Sequence, residues 1–215
     1  MKKIIVIALI IINITPLFAQ WDPEAKKLLD QVSAKYKTYE TIRAKFKYSI
    51  LNQRNMAKES HEGILFMKGD KYKLFFMGNE IFFDGVTLTT LMVKEQEATI
   101  SSPDAKDEST LQPNQLFTIY EQNYKYTLNG ADTINGRVYQ IIELIPNNRE
   151  DKSYSKLKLH VDQERKEIHS MLAIGKNGTN MLVELTEFKP NVTIINSLFT
   201  FNKSDYPGID VIDLR

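Results

Sequence analysis

GILFMKGDKYKLFFMGNEIFFDGVTLTTLM, residues 63–92, decides the reading of this chain. Three turn pairs punctuate it: Gly69-Asp70, Gly78-Asn79 and Asp84-Gly85. Such pairs supply the positive φ angles of tight hairpins. If each turn is two residues long, the flanking residues pair directly and share a face of the sheet. Lys68 then faces Lys71, Met67 faces Tyr72 and Leu65 faces Leu74. Across the second turn Phe76 pairs with Ile81 and Leu74 with Phe83. Across the third, Phe83 pairs with Val86 and Ile81 with Leu88. One face therefore collects Leu65, Met67, Tyr72, Leu74, Phe76, Ile81, Phe83, Val86, Leu88 and Met92.

The other face carries Lys68, Lys71 and Lys73, but also Ile64, Phe66, Phe75 and Phe82. A sheet with one wet face should be more polar than this. The apolar face needs a cover, and two readings stay open: a filled core, or a cavity that its cover fills in part. Met67 and Met92, with Met171 and Met181, suit an adaptable lining, because thioether chains repack at little cost. A hollow of this kind would suit acyl chains, each buried methylene contributing about 0.8 kcal/mol.

The cover lies upstream. Asp22-Pro23-Glu24 gives an N-cap, a proline at the first helical position and an acid in the first turn. Ala25, Leu28, Leu29, Val32 and Tyr36 then form one helical stripe, which sets Leu28 and Val32 toward the apolar face. From Ile42 the period changes to two: Ile42, Ala44, Phe46, Tyr48 and Ile50 alternate with polar residues. Further turn pairs at Asn129-Gly130, Asn135-Gly136 and Asn177-Gly178 bring the expected count to about ten or eleven strands, as in an antiparallel sandwich or barrel. Residues 101–122 interrupt the pattern, and a short helix is expected from Pro113 through Leu116, Phe117, Ile119 and Tyr120.

The first residues have the layout of a secretory signal peptide. Lys2 and Lys3 precede the apolar run Ile4 to Ile12, and Thr15-Pro16 breaks it ahead of a cut after Ala19. The run is shorter than the about 20 residues that span a bilayer. Residues 20–215 are then expected as a single domain, soluble in the periplasm. Loss of two lysines and no acid turns the formal charge of +1 into −1, which offers nucleic acid no basic surface. With no cysteine, neither a disulfide nor a lipid-bearing N-terminal cysteine is available.

Catalytic patterns are missing. The sequence holds no nucleophile elbow, no phosphate-cradling glycine loop and no zinc helix motif. His61 belongs to a polar loop or strand start. A hairpin turning at Asp162 to Lys166 would set His160 opposite His169 on the wetter face with Lys158, leaving Leu159, Val161, Ile168 and Leu172 on the other. Two histidines without a third ligand make a poor metal site. No catalytic residue, no metal and no cofactor is expected.

Several segments together resemble the periplasmic outer-membrane lipoprotein carriers, the LolA-like family. They are the N-terminal helix, the strand around Phe46, Gly63-Ile64-Leu65, Lys71-Tyr72-Lys73-Leu74, Asp84-Gly85-Val86-Thr87-Leu88, Glu167-Ile168, Ser197-Leu198-Phe199-Thr200-Phe201 and Tyr206 to Asp213. The resemblance implies an incomplete β-barrel closed by helices acting as a lid over a hydrophobic cavity. It also implies acylated lipoproteins as cargo, an inner-membrane releasing transporter as donor and an outer-membrane lipoprotein as acceptor, with the carrier a monomer. The family commonly has Arg-Pro after the second strand, where the arginine helps hold the lid. Here the positions read Gly69-Asp70. A sensor or scaffold module of similar fold, binding another lipid or a protein, is the alternative expectation.

Overall fold

A computed structural model describes residues 22–52, 54, 56–102, 113, 117–121, 123–150 and 152–215. The expected signal peptide lies outside these residues. No described helix is long and apolar enough to cross a membrane.

One helix, α1 (Pro23–Lys37), precedes β1 (Thr41–Leu51), β2 (Ala57–Lys68), β3 (Lys71–Phe76), β4 (Asn79–Phe83), β5 (Leu88–Met92) and β6 (Glu97–Ser101). After the interruption come β7 (Tyr124–Ile134), β8 (Arg137–Pro146), β9 (Tyr154–Asp162), β10 (Glu167–Gly175), β11 (Asn180–Pro190) and β12 (Asp210–Asp213). All twelve strands form one sheet in the order β12-β6-β5-β4-β3-β2-β1-β11-β10-β9-β8-β7. Since β12 and β7 do not meet, the barrel stays incomplete. The count exceeds the expected ten or eleven, and β12, which pairs parallel to β6, is a strand added at the edge.

The β2–β3 register is the expected one, with Lys68 opposite Lys71 and Leu65 opposite Leu74. The next two turns depart from expectation. Phe76 pairs with Asn79, not Ile81, because the turn residues are Met77 and Gly78, both at positive φ (53° and 78°). Glycine thus takes the second turn position, where a mirror-image type I turn favours it. Phe83 pairs with Leu88, not Val86, because Asp84 to Thr87 form a wider loop. Asp84 Oδ1 holds that loop by accepting the amides of Val86 (3.0 Å) and Thr87 (2.8 Å). Each change slips the register by two residues, which keeps every strand residue on its assigned face. Asn129-Gly130 is also no turn: it makes a bulge within β7, between Leu128 and Ala131.

The helix begins as its sequence demands. Asp22 Oδ1 accepts the amides of Glu24 and Ala25 at 2.9 and 3.2 Å, while Oδ2 accepts the amide of Leu128 on β7 at 3.0 Å. The same carboxylate therefore caps α1 and ties it to the edge strand. The stripe Ala25, Leu28, Leu29, Val32 and Tyr36 is buried against the inner face of the sheet, among Leu65, Met67, Tyr72, Ile142, Leu144, Leu157 and Leu159. Of the expected second helix, the described residues hold a 3-10 turn at Ile119–Glu121, and residues 114–116 lie outside them. Phe117, Ile119 and Tyr120 join the same buried cluster.

The outer face has its own small core. Phe82, Leu91 and Ala98 are buried beneath Ile209, with Phe201, Tyr206 and Val211 packed against them. The C-terminal segment thus covers part of the apolar surplus visible in the sequence. Lys73 is buried there, its ammonium 2.9 Å from Glu80 Oε2 and 4.5 and 4.2 Å from the ring centroids of Phe75 and Phe82.

Candidate functional site: the inner face of the sheet

Strand alternation gathers the candidate residues on the inner face, but coverage divides them. Leu28, Val32, Leu65, Met67, Tyr72 and Phe83 are buried in the main cluster. Burial pushes the Tyr72 phenol up to about 12, in keeping with an apolar setting. Leu74, Ile81 and Leu88 are half-buried and pack against the same cluster, while Phe76 and Met92 are half-buried at its margin. Val86 departs from the expectation: it sits in the β4–β5 loop, 75% exposed, because the Asp84 side chain holds that loop open.

Beyond α1 an apolar shelf continues, and several of its residues were not in the sequence-derived set. Phe46 and Tyr48 on β1 flank Phe76, with ring centroids 5.7 and 5.4 Å away. Val183 and Leu185 on β11 pair with Tyr48 and Phe46. All are half-buried. The alternation from Ile42 to Ile50 was the signal that could have placed Phe46 and Tyr48 there, once β1 is paired with β2.

Of the four methionines named for the lining, Met171 is buried in the main cluster and Met181 packs at its edge. Beneath α1 the described side chains pack into one buried apolar cluster. An apolar hollow of about 230 Å³ opens at the C-terminal end of the helix. Tyr36, Tyr39, Ile42, Met67 and Phe117 line it, and Gly69 and Asp70 form part of its rim.

Polar contacts tie the cover down on both sides of that hollow. Ser33 Oγ and Lys37 Nζ each donate to Glu121 Oε1 at 2.7 Å. The Lys37 hydrogen bond, with Ser33 adding to it against the opposing effect of burial, holds the Glu121 carboxyl below its ordinary value. The Tyr120 hydroxyl reaches Asp30 Oδ1 at 3.2 Å. Phe117 stacks on Tyr36 with centroids 3.9 Å apart and planes 12° from parallel.

The histidines lie elsewhere. His61 is within β2, its ring edge-on to Phe76. His160 pairs with Ser170, not His169, because a bulge between Ile168 and Ser170 displaces His169. That bulge also turns Leu172 to the outer face, opposite Lys158, against the expectation that it faces inward. His160 contacts Ser170 Oγ at 2.9 Å and Asp132 Oδ2 at 3.1 Å, and His169 stacks on Tyr139. Among the described residues no three His, Cys, Asp or Glu side chains converge as a metal site would require.

Solved structures share this architecture. An uncharacterized conserved protein from Thermus thermophilus superposes with a TM-score of 0.59 at 10% identity, over 88% of this chain and 99% of that one. MucB superposes with a TM-score of 0.51 at 12% identity, over 89% of this chain and 66% of its own. A LolA superfamily protein from Nitrosomonas europaea gives 0.44 at 13% identity, over 82% and 97% of the two chains. At these identities the first two speak for the fold alone, and the third carries no argument. A comparison with curated proteins finds no match. The family model described as "Outer membrane lipoprotein carrier protein LolA" matches residues 37–202, most of the chain. This chain belongs to the LolA family.

Proposed function

We propose that this protein is an exported periplasmic carrier that takes acyl chains of lipoproteins onto the inner face of its sheet. In this reading it receives them from an inner-membrane releasing transporter and passes them to an outer-membrane acceptor. The observation that carries it is the division of the inner face: one part buried under α1, the rest a half-buried apolar shelf around Phe46, Tyr48 and Phe76. At about 0.8 kcal/mol per buried methylene, such a surface holds fatty chains without specific polar contacts. Chains longer than the shelf would enter by the hollow at Tyr36, Met67 and Phe117, lifting the C-terminal end of α1 and the 117–121 turn. No catalytic step belongs to this role.

A second reading, a protein-binding module of the same fold, draws on the close packing of the α1 stripe onto the inner face. Gentle purification from the periplasm, lipid extraction and mass spectrometry separate the two. Acyl chains recovered with the protein, and their displacement of an apolar dye such as ANS, support the carrier. A protein that binds no dye and yields no lipid, yet holds a protein partner through purification, overturns it.

A further inference from the structure

The sheet is split between β10 and β11. Their ladder runs from Ser170–Glu184 to Ile174–Asn180 and stops there. Below it, Glu167 and Ile168 of β10 pair only with β9, and Leu185 to Pro190 of β11 continue only along β1. Two strand edges therefore face each other inside the sheet without joining, and a hollow of about 150 Å³ lies between them.

The polar groups around this hollow are unevenly matched. Each acid has cationic partners: Asp162 has Arg137 at 3.1 Å, Glu167 has Lys35 at 2.7 Å, and Glu187 has Arg43 with Lys189 at 3.6 Å. Arg165 also lines the hollow; it is an exposed residue, and its guanidinium has no carboxylate within salt-bridge distance among the described residues. The Tyr36 hydroxyl, on a residue 5% exposed, is buried without a hydrogen bond of normal geometry, on the side of the hollow where the Ile168 amide lies. A buried hydroxyl left so bears its full desolvation penalty unless something answers it. Tyr139 and His169, stacked at 4.7 Å, complete the wall on the β8 and β10 side.

We propose that the β10–β11 split is a binding site for a small anionic group, a carboxylate or a phosphate. The group would accept from the Arg165 guanidinium and the Tyr36 hydroxyl and from amides of the two open strand edges. The buried unsatisfied group is a hydroxyl donor, and the Arg165 side chain at the mouth is a cation free to turn inward, so an acceptor-only ligand can use both. The volume admits a headgroup-sized anion rather than a fatty chain. The site borders the apolar shelf at Leu185 and shares Tyr36 with the hollow at the end of α1, but its anion binding does not depend on the carrier role.

Titration of the full-length mature protein with acetate and, separately, inorganic phosphate tests this, followed by amide chemical shifts and calorimetry. Saturable shifts centred on residues 167–169 and 185–187 are expected, with affinity at least tenfold weaker in Arg165→Gln and reduced in Tyr36→Phe. Thermal melts of both variants without ligand guard against simple misfolding. Saturation by acetate alone points to a carboxylate ligand, and by phosphate alone to a phosphorylated one; either supports the site. Absence of saturable shifts, equal affinity in wild type and Arg165→Gln, or a crystal soaked in both anions that holds water only, overturns it.

Discussion

The ring of Phe46 occupies the space where a side chain on Gly63 would begin: a Cβ there would lie 2.2 Å from Phe46 Cζ. The two residues are direct partners across β1 and β2. The glycine in β2 is thus the condition for an aromatic ring to lie flat over the sheet at the shelf. Gly63→Ala should push that ring off its neighbours Phe76 and Leu185 and cost about 1–3 kcal/mol, as overpacking does. Chemical denaturation measures the cost. Adding Phe46→Leu should recover most of the stability but not the ANS binding.

Packing and binding should separate by position. Leu29, on the buried stripe of α1, is 1% exposed, and Leu29→Ala should cost about 2–5 kcal/mol through the cavity it leaves. Phe76→Ser, at the half-buried shelf, should cost less stability yet weaken binding of an acylated peptide severalfold. Val86→Ser, out in its loop, should change stability by less than about 0.5 kcal/mol and leave binding untouched. Equal binding by wild type and Phe76→Ser would remove the shelf from the site.

Lys73 offers a test on the outer face. Its charge is buried between two rings and answered by Glu80, which also accepts from the Tyr206 hydroxyl at 2.8 Å. Glu80→Ala strands a buried ammonium and should cost about 3–5 kcal/mol. The double variant Lys73→Met, Glu80→Leu removes both charges and should recover most of it. If the single and double variants melt alike, the pair is not the origin of the cost.

Acid should loosen the cover first at Glu121. Its folded carboxyl is held below the ordinary value of 4.5, mainly by the Lys37 hydrogen bond, so its contribution is complete above about pH 4.5 and fades as pH falls through the lowered value. The Lys37–Glu121 pair is substantially exposed, which limits the contribution to about 1 kcal/mol or less. Amide exchange of residues 117–121 should therefore accelerate below pH 4.5 before the sheet itself opens. In Glu121→Gln that acceleration should be absent, because the group no longer titrates.

Face assignment was legible because strand side chains repeat every two residues. The turn at Met77-Gly78 and the loop at Asp84–Thr87 were both misplaced by simple pairing, yet each slip was even, so Tyr72, Leu74, Ile81 and Phe83 kept their side. Only a residue lifted out of its strand, Val86, was lost from the face. On β10 a single bulged residue, His169, changed the parity, and Leu172 went to the wrong side. Turn chemistry announces hairpins, but nothing in the residues from Ile168 to Ser170 announces that bulge.

The sequence by itself determined the N-capped helix, the alternation of the strands and the apolar surplus on both faces, since each depends on near neighbours along the chain. Tertiary structure alone decided how much of the inner face α1 covers, that the tail around Phe201, Tyr206 and Ile209 lies over Phe82, and that β10 parts from β11 below Ser170. These features join residues far apart in the chain. Their energies come from packing and edge pairing, which local propensity does not encode.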